Sequence, residues 1–174
     1  KMALARADWA VTEAGFGFDL GAEKFFDIKC VSASLDTAAV VLVATVRALK
    51  LHGGAAKDAL ATPDPAAVER GLGNLAKHVE NIRTFCEPPV VALNRFSADS
   101  DDEVAVVRRA CKDLGAPFAV SDVFARGGAG GAELAKAVLE HAEKKSKPFC
   151  PLYGWGEPVK VKMEKIARAM YGAR

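Results

Sequence analysis

Residues 38–44, Ala-Ala-Val-Val-Leu-Val-Ala, carry seven consecutive apolar side chains, more than one half-buried strand can use. Successive side chains of a strand point to opposite faces, so an unbroken apolar run asks for cover on both. That fits a central strand of a parallel sheet with helices above and below. Two further runs, Val90 to Leu93 and Pro117 to Val120, have the same character, and Ala7 to Thr12 is a fourth candidate strand.

Helix-period stretches separate these runs. Asp19 is a plausible N-cap for a helix to about Lys29, and Thr45 to Leu51 is a short helical turn stopped by Gly53 and Gly54. After a looped stretch from Ala55 to Thr62, Pro63 and Pro65 open a long helix to about Phe85, with Thr62 or Asp64 as cap. Its Leu72, Leu75, Val79 and Ile82 form one stripe. Pro88 and Pro89 end that unit. Helices are also expected over Asp99 to Leu114, Ala132 to Lys144, and from Glu157 or Pro158 to Gly172, the last with Val161, Ile166 and Met170 inward. Strands alternating with helix-length crossovers predict an α/β fold, a mainly parallel sheet flanked by helices, in one region over 1–174.

With 174 residues, 51% hydrophobic and 26% charged, the chain can bury a real core. A net charge of +2 gives no reason to expect nucleic acid or an anionic membrane as partner. The short cluster Lys144, Lys145 and Lys147 reads as a solvated helix end. No apolar run approaches the roughly 20 residues of a membrane span, and no secretory leader layout is present, so a cytoplasmic setting is expected. Lys1 to Ala5 reads as the tail of a helix begun upstream, and hence as part of a longer protein. The four cysteines, Cys30, Cys86, Cys111 and Cys150, are far apart and form no C-x-x-C pair; neither a disulfide framework nor a zinc site is expected. His52, His78 and His141 are equally dispersed.

Ligands of such sheets sit beyond the carboxyl ends of the strands, so segments 12–21, 44–54, 94–99 and 120–131 are the ones to interrogate. Gly15-Phe16-Gly17 with Gly21 fits either a backbone frame near a phosphate or a tight turn; Leu20 stands where the dinucleotide fingerprint needs its third glycine. Arg126 to Gly131 resembles a phosphate-cradling loop, but no G-x-x-x-x-G-K-[ST] occurs anywhere. A mobile loop or a turn over the site is the competing reading. Asn94-Arg95-Phe96-Ser97 fails the guanine-reading N-K-x-D pattern at Ser97; Asn94 can still meet a base edge or simply cap a turn. Phe16, Phe96 and Phe124 could together hold a flat heterocycle, unless two of them are core residues. Arg47, Lys50 and Arg126 are candidates for anionic groups, with surface carboxylates the alternative for Arg47 and Lys50; Glu13 is a possible polar contact.

These residues resemble one family. Val43-Ala44-Thr45-Val46-Arg47-Ala48-Leu49-Lys50-Leu51-His52-Gly53-Gly54 matches the signature stretch of formate–tetrahydrofolate ligases, with Leu51 where Met is usual. Val11 to Gly17, Asp19 to Cys30, Asn74-Leu75, Lys77 to Ile82, Asn94 to Phe96, Gly127-Gly128, Gly130-Gly131 and Tyr171 to Ala173 match as well. The resemblance implies a P-loop NTPase-like fold whose phosphate loop lies upstream of these residues. It also implies ATP-dependent ligation of formate to tetrahydrofolate through formyl phosphate, giving 10-formyltetrahydrofolate. Mg²⁺, a monovalent cation (K⁺ or NH₄⁺) and a homo-oligomeric enzyme come with it. Positions matching the pterin or adenine pocket are Phe16, Leu20, Phe96, Val120 and Phe124, with Asn94, Arg126, Gly127 and Gly128 beside them as binding candidates. No catalytic residue and no metal ligand is assigned. Phe124 stands where the family commonly has Trp, Ser97 and Ala98 where it has Pro and Thr, and Ala129 where it often has Glu. Two other classes stay open: a folate- or nucleotide-binding module without catalysis, and an assembly segment.

Overall fold

The computed structural model describes residues 1–87, 89–144 and 147–174. At its centre lie three parallel strands in the order β1–β2–β3: Val40–Ala44, Pro89–Asn94 and Phe118–Ser121. Parallel neighbours cannot be joined by a tight turn, and helices make both crossovers. Val46–His52 (α2) and Pro65–Thr84 (α3) link β1 to β2, and Asp101–Asp113 (α4) links β2 to β3. After β3 come Val123–Arg126 (α5), a 3₁₀ stretch Gly127–Gly131, Ala132–Ala142 (α6) and finally Val159–Tyr171 (α7). The chain is therefore α/β with a parallel sheet flanked by helices.

The strand expected to be central is at the edge. Among the described residues β1 pairs only with β2, and its Val41 and Val43 are 39% and 63% exposed. β2 is the strand buried along its length. An apolar run states that both faces can be covered; it does not state which strand lies beside it. The segment 7–12 forms no strand and is exposed throughout. A strand exists only through hydrogen bonds to a neighbour, and this segment has none among the described residues.

Capping chemistry sets the helix starts. Thr45 Oγ1 accepts from the Ala48 N–H at 3.1 Å, and Asp64 Oδ1 accepts from the Ala67 N–H at 2.8 Å, with Pro65 in the first turn. Ser100 and Glu103 form a reciprocal capping box on α4. Asp19 does not act as a cap. The first helical segment begins just after Phe16 with no side-chain cap, runs as wide π-type turns over Gly17–Ala22 and Phe25–Cys30, and closes with the α-turn Val31–Ala33 (α1). The reason is a close approach: a Cβ on Gly21 would lie 2.2 Å from the Gly15 carbonyl oxygen, so the chain folds back on itself there.

Two cores result. Val46, Leu49, Val68, Leu75, Val79, Val91, Leu93, Val107 and Cys111 fill the space between the sheet, α2, α3 and α4. Phe18, Phe26, Ile82, Phe85 and Met170 form the second, with Phe26 stacked on Phe85 at 4.9 Å between ring centres. α7 is fastened to α3 where Lys77 and Asn81 donate to the Ala169 and Met170 carbonyls at 3.1 and 3.2 Å.

Cys86 and Cys150 are paired as a disulfide, contrary to the expectation from their spacing. Their Cα atoms are 5.4 Å apart across 64 residues of sequence, within the range a disulfide spans. Only the return of segment 149–155 to the end of α3 creates that proximity. Cys86 has φ +60°, a left-handed turn out of α3 that costs a non-glycine residue about 1–2 kcal/mol. Of the lysine cluster, Lys144 and Lys147 are exposed, while Lys145 lies outside the described residues, as does Pro88.

Candidate functional site

The carboxyl ends of the three strands bring Thr45 to Arg47, Asn94 to Asp99 and Ser121 to Gly131 to one edge of the sheet. The Arg95 N–H donates to the Ser121 carbonyl at 3.0 Å, joining the two exits. Asp99 then closes a tight turn: its Oδ2 accepts from the Phe96 N–H at 2.8 Å, and its own N–H donates to the Phe96 carbonyl at 3.0 Å. Phe96 is thereby held 37% exposed as a residue, and the Arg47 guanidinium lies 4.4 Å from its ring centre. That spacing is a cation–π contact, which fixes the ring and places a cation beside it.

A cavity of about 420 Å³ opens between α4 and the 122–133 segment. Arg95, Arg108, Val120, Asp122, Arg126 and Glu133 are among its walls. Arg95 is paired with Asp101 at 2.8 Å, and Arg108 lies over Phe118 at 4.8 Å. The glycine-rich stretch packs on its own strand exit: a Cβ on Gly130 would meet the Asp122 carbonyl oxygen at 2.2 Å, and the Asp122 N–H donates to the Gly130 carbonyl at 3.1 Å. Gly130 is thus needed for a tight turn, and Gly127 for its φ of +57°. Gly127 and Gly128 are exposed.

Val120 and Arg126 line the cavity; Phe16, Phe96 and Phe124 are not among its lining residues. Asn94 ends β2, half-buried, opposite Ser121. Phe124 stands on α5 and Phe16 precedes the first helical segment; they are 99% and 101% exposed, so neither is a core residue. Leu20, 51% exposed, is on the helical segment that packs against α3, not beyond a strand of the sheet. Lys50 is not available to a ligand. It is fully buried, 2.8 Å from Glu103 Oε1 and 3.0 Å from the Thr62 carbonyl. Glu13 lies exposed in the segment before the first helix.

Three buried carboxylates, Glu103, Asp27 and Glu23, were missed by the sequence reading. Burial alone would raise the Glu103 carboxyl, but the Asp64 and Ser100 N–H groups, the Ser100 hydroxyl and Lys50 all donate to it and hold it at about 2. Asp27 and Glu23, four residues apart inside the aromatic run around Phe25 and Phe26, are both buried. Asp27 Oδ1 accepts from the Leu152 N–H at 2.7 Å, while among the described residues no donor group is directed at the buried Asp27 Oδ2 and Glu23 Oε1. Burial, with the Glu23 carboxyl adding to it, lifts Asp27 to about 7 against the Leu152 hydrogen bond. The signal in the sequence was two acids amid phenylalanines; the partner 125 residues away was not readable.

Because Asp27 sits above its ordinary 3.8 in the folded protein, its contribution to stability is full below that value. It is lost as pH rises through about 7. Asp27→Asn keeps an acceptor for Leu152 and offers Glu23 a donor. Between pH 3.8 and about 7 the denaturation midpoint of the parent is expected to fall relative to that of the variant. Equal slopes for the two proteins would contradict the assignment.

Burial lowers the His78 and His141 imidazoles below the usual histidine value. Among the described residues no three His, Cys, Asp or Glu side chains converge as a metal site. Nor do these residues fit the Mg²⁺ or triphosphate cradle that the resemblance implies: the glycine turn is explained by packing, and no P-loop Lys follows it. No helix among the described residues is long and apolar enough to cross a membrane.

A parallel three-stranded sheet flanked by helices defines a protein of the α/β class. The chain belongs to the formate–tetrahydrofolate ligase family, whose profile, "Formate--tetrahydrofolate ligase", matches residues 1–174. It is 52% identical over 173 residues to the "Formate--tetrahydrofolate ligase" of Granulibacter bethesdensis (strain ATCC BAA-1260 / CGDNIH1). That match covers 99% of this chain and 30% of the relative's length.

Proposed function

We propose that this chain supplies the heterocycle-binding side of a ligase that joins formate to tetrahydrofolate with ATP, giving 10-formyltetrahydrofolate through formyl phosphate. One observation carries the reading. Phe16 and Phe124 are exposed almost completely, and Phe96 presents a ring backed by Arg47; the family resemblance implies a pterin or adenine pocket at these positions. Leaving three phenylalanines at the surface forgoes apolar burial, which a flat ligand would restore. Leu20, Val120 and Asn94 would add apolar contact and a base-edge partner, and Arg126 with Gly127 and Gly128 would border the anionic part. Mg²⁺ and a monovalent cation (K⁺ or NH₄⁺) would be held by residues outside this chain, and a homo-oligomeric, cytoplasmic enzyme is part of the same reading. Phosphoryl transfer needs a positioned Lys, a metal ion and backbone donors. The 174 residues alone are therefore expected to form no 10-formyltetrahydrofolate, a point checked by a turnover assay of the isolated chain.

Titration of the full-length protein with tetrahydrofolate and with ATP tests the pocket. An aromatic contact is worth about 0.5–1.5 kcal/mol beyond the area it covers, so Phe124→Ala should weaken one of the two ligands by roughly 2- to 10-fold or more. Phe124→Trp should bind at least as tightly as the parent. Unchanged affinity for both ligands in Phe16→Ala, Phe96→Ala and Phe124→Ala would remove the site. Binding without turnover by the full-length protein would favour a binding module without catalysis.

A further inference from the structure

We propose that Cys86 and Cys150 form a reversible thiol–disulfide site, exchanging with low-molecular-weight disulfides and thiols, that latches segment 149–155 onto the helical segment 17–33. This goes beyond the proposed ligase role and does not depend on it. Three observations carry it. First, both cysteines are exposed and their Cα atoms lie 5.4 Å apart, whereas Cys30 and Cys111 are fully buried. An exposed pair can meet a small reagent; a buried thiol such as Cys111, pushed up by desolvation to about 11, carries almost no thiolate to react. Second, Cys86 occupies a left-handed position, φ +60°, at the exit of α3. Glycine would take that conformation without strain, whereas Cys86 holds a side chain there at a conformational cost. Third, the segment the bond secures is also the lid of the second core.

That third point rests on several contacts. The Cys150 N–H donates to the Phe85 carbonyl at 2.8 Å, and Phe149 packs on Phe26 at 5.7 Å between ring centres. The Leu152 N–H reaches Asp27 Oδ1 at 2.7 Å, and Trp155 Nε1 donates to the Asp27 carbonyl at 2.8 Å. The Phe149 N–H donates to Asp36 at 3.1 Å. Opening the disulfide frees one end of this clamp and loosens what it covers, the turns that lead back to Leu20 and Phe16.

The exchange is balanced without any further reagent. The thiolate of one cysteine attacks a sulfur of the small disulfide, whose S–S bond breaks and releases one small thiol. The thiolate of the second cysteine then attacks the protein sulfur of the mixed disulfide and displaces the other small thiol. Two protein thiols are oxidised, one small disulfide is reduced to two thiols, and the two protein protons leave on them.

The experiment equilibrates the full-length protein in buffers of reduced and oxidised glutathione, then alkylates it under native conditions and maps the modified peptides. Cys86 and Cys150 should be alkylated together in reducing buffer and protected together in oxidising buffer, with Cys30 and Cys111 unmodified in both. Amide hydrogen exchange of 17–33 and 149–155 should be slowed several-fold in the oxidised protein and unchanged at β2. Cys86→Gly, which suits the left-handed turn, should fold and exchange at the reduced rate in either buffer. Cys86 and Cys150 remaining alkylatable in oxidising buffer would overturn the site. A disulfide that forms without slowing exchange at 17–33 would overturn the latch.

Discussion

Glu103→Ala is expected to be among the most destabilising single changes in this chain, by about 3–5 kcal/mol, because it leaves the ammonium of Lys50 buried without its counter-ion. Glu103 also accepts from the Asp64 N–H at 2.9 Å and the Ser100 N–H at 2.8 Å. One carboxylate thus holds the start of α3, the start of α4 and the inner side of α2. The double variant Lys50→Met with Glu103→Met removes both charges and should recover part of the loss, but not all, since the two backbone donors still go unmet. Urea unfolding at constant pH separates these cases. A single variant as stable as the parent, or a double variant no better than Glu103→Ala, would contradict the arrangement. The sign with pH follows from the depressed carboxyl. Its contribution is complete above glutamate's ordinary 4.5 and is lost as pH falls from there through about 2. Asp27 acts in the opposite direction, its contribution being lost as pH rises through about 7.

Gly71→Ala and Gly73→Ala, two residues apart in the same helix, should have opposite signs. A Cβ on Gly71 would lie 2.0 Å from the Leu49 carbonyl oxygen and 3.0 Å from the Gly53 nitrogen. These are backbone atoms of α2 and its end, which cannot rotate aside, so the two helices must part. Overpacking of this kind costs about 1–3 kcal/mol or more, against roughly 1 kcal/mol that alanine returns through helix propensity. Gly73 faces open space and has no heavy atom within 4 Å of its would-be Cβ. There only the propensity remains, and the variant should be more stable by up to about 1 kcal/mol. Thermal midpoints of the two variants shifting in the same direction would refute the close contact of α2 with α3. Gly53, whose Cβ would meet the Ala67 carbonyl oxygen, is the same contact seen from the other helix.

Both results turn on features that local pattern cannot carry. The stripe Leu75, Val79 and Ile82 told that α3 is a helix with one buried face, and Asp64 with Pro65 told where it starts. Nothing in Gly71 told that α2 passes within backbone contact, since a glycine inside a helical pattern reads only as a weak point. Lys50 looked like a cation for a ligand because charge is visible in sequence and burial is not. Asp19 looked like a cap because its type suits one; with Gly15 turned against Gly21, the helical segment starts before it, at Gly17.

The sequence by itself determined the α/β class, most helix starts and the family, because apolar period, capping residues and long matched runs are local properties of the chain. It also pointed to the residues beyond the strand ends, where a parallel sheet leaves backbone groups free. Only the tertiary structure decided that β1 is an edge strand among the described residues, that Lys50 is sealed against Glu103, that Asp27 lies under segment 149–155, and that Cys86 meets Cys150. Each of these is a contact between residues far apart in the chain, and its energy depends on burial and distance, quantities that exist only once the helices have packed.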